Sequence, residues 1–291
     1  MHGMYRIVER LRRQLPPRRR DVAVVSFDAL AGQWRGADAS GTVDRAELTV
    51  TTFNMWNDPH FAAERQRAIA ELMSKSGPDI MVFQEVTPDA LEILLADPWV
   101  REYCFCAAVT DKGVGNYGML LLSRIPLRCV AYARLPSRMS RGFLTAEVDV
   151  GGTRTAVCSV HLDSGKASVP LRRRQLRRVF NALRSVDDAV VLGDFNMRDT
   201  ENEQIVAPFV DVWPALRPDE PGYTEDTSIN LMRLDSRNKQ RHVRFDRVLL
   251  KGHAWAAASI ELLGTEPLSD ALARVFPSDH FGVRCRLVRR R

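Results

Sequence analysis

The sequence predicts an α/β (α+β) chain folded as a four-layer α/β/β/α sandwich, two packed and mainly antiparallel sheets flanked by helices. Three observations lead there. Roughly a dozen short apolar runs read as strands, while only three or four stretches carry a helical period. Many of the strands follow one another directly through turns, whereas a doubly wound parallel sheet needs a helix after nearly every strand. Neither a composition shift nor an internal repeat divides the 291 residues, so one large domain is expected.

The chain opens on a short basic amphipathic stretch, with Met4, Ile7, Val8 and Leu11 on one stripe, that Pro16-Pro17 stops. Residues 22–27 (VAVVSF) read as a strand and 48–55 (LTVTTFNM) as a second. Asp58-Pro59 is expected to open a helix near residue 61, with Asp58 capping it and Ile69, Leu72 and Met73 facing inward until Gly77-Pro78. The run 80–83 (IMVF) is continuous enough for a strand buried on both faces. Thr87-Pro88 then starts a helix carrying Leu91, Leu94 and Leu95. From 103 to 162 five strand runs follow, with Gly151-Gly152 as a hairpin. A helix is expected over about 170–185, with Leu171, Leu176, Val179, Phe180 and Leu183 inward. Strands at 189–194, 243–250, 259–264 and 281–288 complete the pattern, and 196–242 reads as a long segment rich in proline and charge.

Lysine and arginine exceed the acids by 42 to 36, a net charge of +6 whose placement matters more than its sum. Five cysteines without a CxxC pair, set in apolar runs, lead us to expect buried thiols in a reducing compartment. No apolar run reaches the roughly 18 residues a spanning helix needs, and the basic N-terminus lacks the apolar segment of a secretory signal. A soluble cytoplasmic protein is expected, and the Ala- and Arg-rich composition sets the expectation of a bacterial source.

Short polar residues end several of these apolar runs. Asn54 closes the second strand, Gln84-Glu85 the third, His161-Leu162-Asp163-Ser164 the hairpin strand and Asp194-Phe195-Asn196 the strand after the helix; Ser278-Asp279-His280 precedes the last. Buried carboxylates are costly unless paired or bound to a metal. Carboxylates and amides without thiolate partners suit a hard ion, Mg²⁺ or Mn²⁺. Two histidines beside them can each donate to a phosphoryl oxygen, with an aspartate holding the tautomer.

Thr52-Phe53-Asn54, Gln84-Glu85-Val86, His161-Leu162-Asp163-Ser164, Gly193-Asp194-Phe195-Asn196 and Ser278-Asp279-His280, in this order, resemble the endonuclease/exonuclease/phosphatase superfamily. Within it, Gly193-Asp194-Phe195-Asn196-Met197-Arg198-Asp199, Tyr223-Thr224-Glu225-Asp226-Thr227 with Asn230, Val243–Val248 and the ending from Leu262 to Gly282 are similar to the 5′-tyrosyl-DNA phosphodiesterases of type 2. Phe195 stands where animal members usually carry Thr, and Asp163 replaces the commoner Glu. The resemblance implies residues 46–291 as one catalytic domain behind a 1–45 arm with one strand. It implies hydrolysis of a 5′-phosphotyrosyl-DNA link that leaves a 5′-phosphate, a DNA-repair reaction needing Mg²⁺ or Mn²⁺.

The roles it implies are these. Glu85 holds the metal, with help from Asp279. Asn54 orients Glu85 or a metal-bound water. Asp194 positions and deprotonates the attacking water, with His280 as the alternative base. Asn196 holds the water or a phosphoryl oxygen, since a period of two puts it beside Asp194 with Phe195 turned away. His161 and His280 contact non-bridging oxygens, and Asp246 orients a histidine. Ser164 and Arg198 are assigned to phosphate, Tyr223 and Trp56 to stacking on a base or the leaving ring. Arg233, Arg237, Lys239, Arg241 and Arg244 form the basic loop expected to follow a phosphate backbone. The crowd Arg172, Arg173, Arg174, Arg177, Arg178 and Arg184 reads as a solvated helix face. The expected partner is DNA with a blocked 5′ end, single-stranded included, met by a monomer; RNA, or another phosphate ester cut by a general nuclease or phosphatase, is the alternative, and a non-catalytic nucleic-acid binder is the rival of a different class.

Overall fold

The structure, a computed structural model, describes residues 19–37 and 41–290; the amphipathic stretch expected around Met4–Leu11 lies outside them. Among the described residues seventeen strands and six α-helices build two large sheets, a two-stranded ribbon and flanking helices. The first sheet runs β1 (Arg19–Asp21), β8 (Arg128–Arg134), β9 (Gly142–Val150), β10 (Thr153–His161), β11 (Asp188–Asp194), β15 (Asp246–Lys251), β12 (Val210–Asp211). The second runs β16 (Trp255–Leu263), β17 (Gly282–Arg289), β4 (Glu47–Asn54), β5 (Ile80–Val86), β7 (Gly118–Ser123), β6 (Phe105–Val109), β2 (Val25–Asp28), β3 (Gln33–Gly36). Of the expected strand at 22–27 only 25–27 is extended, in β2, which pairs with β6 of the second sheet; residues 22–24 link it to β1, which pairs with β8 of the first.

Alternation decides the layers. The inner faces of both sheets meet in one core that includes Val50, Val82, Leu121, Leu144, Val157, Val190 and Trp255. Outside the second sheet, Ile69 and Met73 of α1 (Ala62–Ser76) and Leu94 of α2 (Pro88–Ala96) cover Phe53, Met81 and Phe83. Outside the first, Leu176, Val179 and Phe180 of α4 (Val169–Ala182) and the following Leu183 cover Cys158, Val160 and Val191. Helix, sheet, sheet, helix is the four-layer sandwich that the patterning predicts. Leu171 of α4 is only half-buried, and Cys129, expected inside, is exposed where the β8–β9 register shifts between Arg128 and Ala131.

Among the described strands two neighbouring pairs are parallel, β4–β5 and β10–β11, and each is joined through a helix, as parallel strands require. Their C-terminal ends carry Asn54, Glu85, His161 and Asp194. Gly193 (φ 143°) permits this at one point: a Cβ there would lie 2.1 Å from the Val160 carbonyl oxygen. Gly151 and Gly152, both at positive φ, form the expected β9–β10 hairpin.

Two local expectations need correction. Thr87 caps α2 as predicted, accepting from the Ala90 N–H. Asp58 does not cap α1: it accepts from the His60 N–H at 3.0 Å, and the helix begins after Phe61. The reason is Arg65, whose buried guanidinium donates to the carbonyls of Met55, Trp56, Asp58, His60 and Pro277, so the 55–60 segment wraps around it instead of entering the helix. The segment 196–242 is no open loop either. It folds into β12, α5 (Val212–Leu216), the ribbon β13 (Glu225–Asp226) with β14 (His242–Val243), and α6 (Leu231–Arg237).

Candidate active site

The polar ends of the two parallel strand pairs meet across the sandwich. At the end of β5 the register with β7 shifts between Gln84 and Val86, and Glu85 takes φ 58°. That bulge leaves the Glu85 carboxylate on a cavity wall instead of in the ladder, with its Oε2 accepting from the Asn57 N–H at 3.1 Å. Asp246 faces Asp194 in the β11–β15 register, and the loop before β17 brings in Asp279 and His280. Glu85, Asp194, Asn196, Asp279 and His280 all line a cavity of about 490 Å³.

Asp194 is 1% exposed and holds three donors, Asn196 N–H to Oδ1 at 2.8 Å, then Asn196 Nδ2 at 2.8 Å and Asn54 Nδ2 at 3.1 Å to Oδ2, which leaves an acceptor site on Oδ1. Asn54 thus orients Asp194, not Glu85. Asn196 turns back at φ 51° while Phe195 is fully buried behind it. Burial alone would raise the Asp194 carboxyl, but the His161 N–H pointing at it and the charge of His280 hold it well below the usual carboxylate range.

The two histidines are in opposite states. Arg141 Nη1 lies 2.9 Å from His161 Nδ1, and arginine can only donate, so the His161 proton sits on Nε2. That nitrogen faces Asp194 Oδ2 at 3.4 Å and Glu85 Oε1 at 3.8 Å. Burial, with the Arg141 charge, pushes His161 down, so it is neutral. His280 Nδ1 instead touches Asp246 Oδ2 at 2.7 Å. Burial alone would lower His280, but the charges of Asp246 and Asp279 raise it well above the ordinary imidazole value. Asp246 so orients a histidine, His280.

Asp194, Asp246 and His280 offer ligand atoms within 4.8 Å of one another, a spacing that can hold a divalent ion, although Asp246 and His280 already share a hydrogen bond. Glu85 and Asp279 leave more freedom. Burial pushes the Asp279 carboxyl up to about 6, His280 pulls the other way, and the Glu85 charge adds to the rise. Two carboxylates that repel, on a cavity wall with no thiolate donor, fit a hard cation.

The basic loop divides. Arg237 and Lys239 are exposed on the cavity rim, and no ion pair engages them among the described residues. Arg241 lines the cavity beside Glu225, at 3.3 Å. Arg233 is 9% exposed and lies 2.6 Å from Glu225 Oε1. Arg244 does not reach the cavity: it is 3% exposed and bonded to Asp211 and Asp199, which compensate its buried charge. Tyr223 also lies off the cavity, its ring 5.7 Å from His242. Ser164, Arg198 and Trp56 line the wall, with the Arg65 guanidinium 4.6 Å over the Trp56 ring. Arg172 corrects the reading of a solvated α4 face: at 1% exposed it makes a bidentate pair with Glu201, while Arg173, Arg174, Arg177 and Arg178 stay exposed.

Sequence reasoning missed Arg141, Tyr117, Glu225 and Arg65. Arg141 also donates to the Tyr117 hydroxyl at 2.9 Å, and both line the cavity. An isolated arginine between a turn and a strand carries no spacing signal.

Residues 51–280 match the model of the Endonuclease/Exonuclease/phosphatase family. The chain is 32% identical over 257 residues to Tyrosyl-DNA phosphodiesterase 2 of Xenopus laevis, covering 80% of this chain and 65% of that protein. To the Homo sapiens protein of the same name it is 29% identical over 251 residues, 80% and 66% of the two. It thus spans just under two thirds of the length of these relatives. Among solved structures, D. rerio TDP2 complexed with single strand DNA product shares the fold at a TM-score of 0.72 and 24% identity, over 84% of this chain and 99% of that one.

Proposed function

The chain belongs to the Endonuclease/Exonuclease/phosphatase family, and we propose that it is a Mg²⁺- or Mn²⁺-dependent phosphodiesterase that hydrolyses 5′-phosphotyrosyl-DNA and leaves a 5′-phosphate. The observation that carries hydrolysis is the geometry around buried Asp194: Asn54 and Asn196 fix its carboxylate, His161 held by Arg141 faces it, and His280 held by Asp246 lies beside it. The name of these relatives and the basic rim support the substrate.

Glu85 and Asp279 would hold the cation, which when bound neutralises phosphoryl charge and eases departure of the phenolate. Asp194, fixed by Asn54 and Asn196, accepts from the attacking water and aims it; the proton leaves toward the carboxylate. Asn196 donates to the water or to a phosphoryl oxygen. The His280 imidazolium donates through Nε2 to a non-bridging oxygen, where charge grows during attack, and Asp246 keeps it protonated. His161 donates from Nε2 in its neutral form, with Arg141 fixing the tautomer. A phenol, with pKa near 10, leaves more readily than a sugar hydroxyl. Arg237, Lys239 and Arg241 would meet the strand's phosphates, with Arg198 and Ser164 nearer the scissile group.

The test is an oligonucleotide bearing a 5′-phosphotyrosine, run beside 5′-phosphate, abasic-site and 3′-phosphotyrosine substrates, each with Mg²⁺ and with EDTA. Fast release of tyrosine only with Mg²⁺ is expected, and Asp194→Asn should cost about 100-fold or more in kcat while leaving DNA affinity nearly unchanged. Vigorous cutting at internal or abasic sites with slow tyrosine release would leave a general nuclease on the same fold.

A further inference from the structure

Glu225 is out of place in a cavity suited to phosphates. It is 1% exposed on β13 and lines the wall beside Arg233, Arg241 and Asp279. Arg233 stands between two carboxylates and treats them unequally. Its Nη2 lies 2.6 Å from Glu225 Oε1 and its Nε 3.5 Å from Asp279 Oδ2, two ion-pair contacts of unequal length, neither with hydrogen-bond geometry.

The backbone holds this choice in place. Asn230 caps α6 by accepting from the Arg233 N–H at 3.0 Å, and its Nδ2 donates to the Ser278 carbonyl at 2.8 Å, next to Asp279. Arg233 therefore cannot move away from Asp279 as a body, and only the aim of its guanidinium is free. Were Glu225 uncharged, Asp279 would be the stronger partner and the fork would close on it.

We propose that Glu225 is a positioning residue that holds Arg233 and so keeps the Asp279 carboxylate open to a divalent cation. This rests on the reading that Asp279 joins Glu85 in holding that cation. An arginine closed on Asp279 would occupy its oxygens and add a repelling charge. The Glu225–Arg233 pair prevents both while staying neutral as a unit.

The test reads Mn²⁺ affinity directly, by electron paramagnetic resonance on the full chain without substrate, for wild type, Glu225→Gln, Arg233→Gln, the double variant and Asp279→Asn. Glu225→Gln should weaken Mn²⁺ about tenfold. Arg233→Gln should tighten it, and the double variant should return at least to wild type. The Mg²⁺ concentration for half-maximal turnover should rise in Glu225→Gln by the same factor, with kcat at saturating Mg²⁺ largely kept. If Glu225→Gln leaves affinity unchanged, if Arg233→Gln weakens it, or if the double variant stays as weak as Glu225→Gln, the proposal is overturned. The reading beneath it fails separately, when Asp279→Asn binds Mn²⁺ as wild type does. Because Arg233→Gln must move affinity upward, a variant that merely unfolds cannot imitate the result.

Discussion

At the scale of the residue, the site turns on what each histidine faces. His161 meets an arginine and a hydrogen-bonded carboxylate, so its neutral form is favoured; His280 meets Asp246 and keeps its proton. The sign of the second effect can be checked. Asp246 raises the His280 pKa, so Asp246→Asn must lower it, and two-dimensional NMR of the cation-free protein should show the His280 titration moving to lower pH. If turnover needs the imidazolium, the basic limb of the pH–rate profile moves down with it. A titration that stays in place would show that Asp246 does not set the charge. Since the folded value lies above the unfolded one, the His280 imidazolium's contribution to stability is complete below the unfolded pKa of about 6.5 and is lost as pH rises through the folded value. Asp194, Asn196 and His280 were legible because each ends or precedes an apolar run; Arg141 was not, because its meaning lies in the ring nitrogen it touches, twenty positions on.

At the scale of the element, local irregularities aim the chemistry. The β5 bulge frees Glu85 from its ladder, and the α1 start yields to Arg65. Periodicity reports the existence of a strand or helix, but not a one-residue bulge or a cap displaced by a distant guanidinium. Arg65 donates to five carbonyls and is 0% exposed, in a setting where burial pushes its own pKa down to about 10. Arg65→Ala strands those carbonyls, each costing about 1–3 kcal/mol where water cannot replace the donor. We expect a loss of about 3 kcal/mol or more by urea denaturation. Arg65→Lys should recover little of it, because an ammonium lacks the planar fork. Full recovery by lysine would show that charge, rather than the geometry of the donors, holds the 55–60 and 277 segments.

At the scale of the whole molecule, net charge says less than its distribution. Of the five basic residues expected on the substrate, Arg244 is neutralised inside and Arg233 is bound to Glu225, which leaves Arg237 and Lys239 exposed on the rim beside Arg241. Among the described residues no helix is long and apolar enough to cross a membrane. Replacing Arg237 and Lys239 together by Ala should weaken single-strand binding and flatten its dependence on salt. Two lost phosphate contacts correspond to a slope change of about 1.4 in log K against log salt. Fluorescence anisotropy over a NaCl series measures this, and an unchanged slope would place the strand elsewhere.

The layers and the polar residues that end the strands were determined by sequence alone, because alternation and strand-end chemistry are local properties that survive without coordinates; the two parallel pairs, β4–β5 and β10–β11, were not. Which charges are buried was decided only in three dimensions. Arg172 and Glu201, Arg244 and Asp211, or Arg233 and Glu225 look like ordinary solvated residues until the fold brings each to its partner. A charge can leave water only where an opposite charge and its hydrogen bonds are already waiting, and that condition is set by residues far away in the chain.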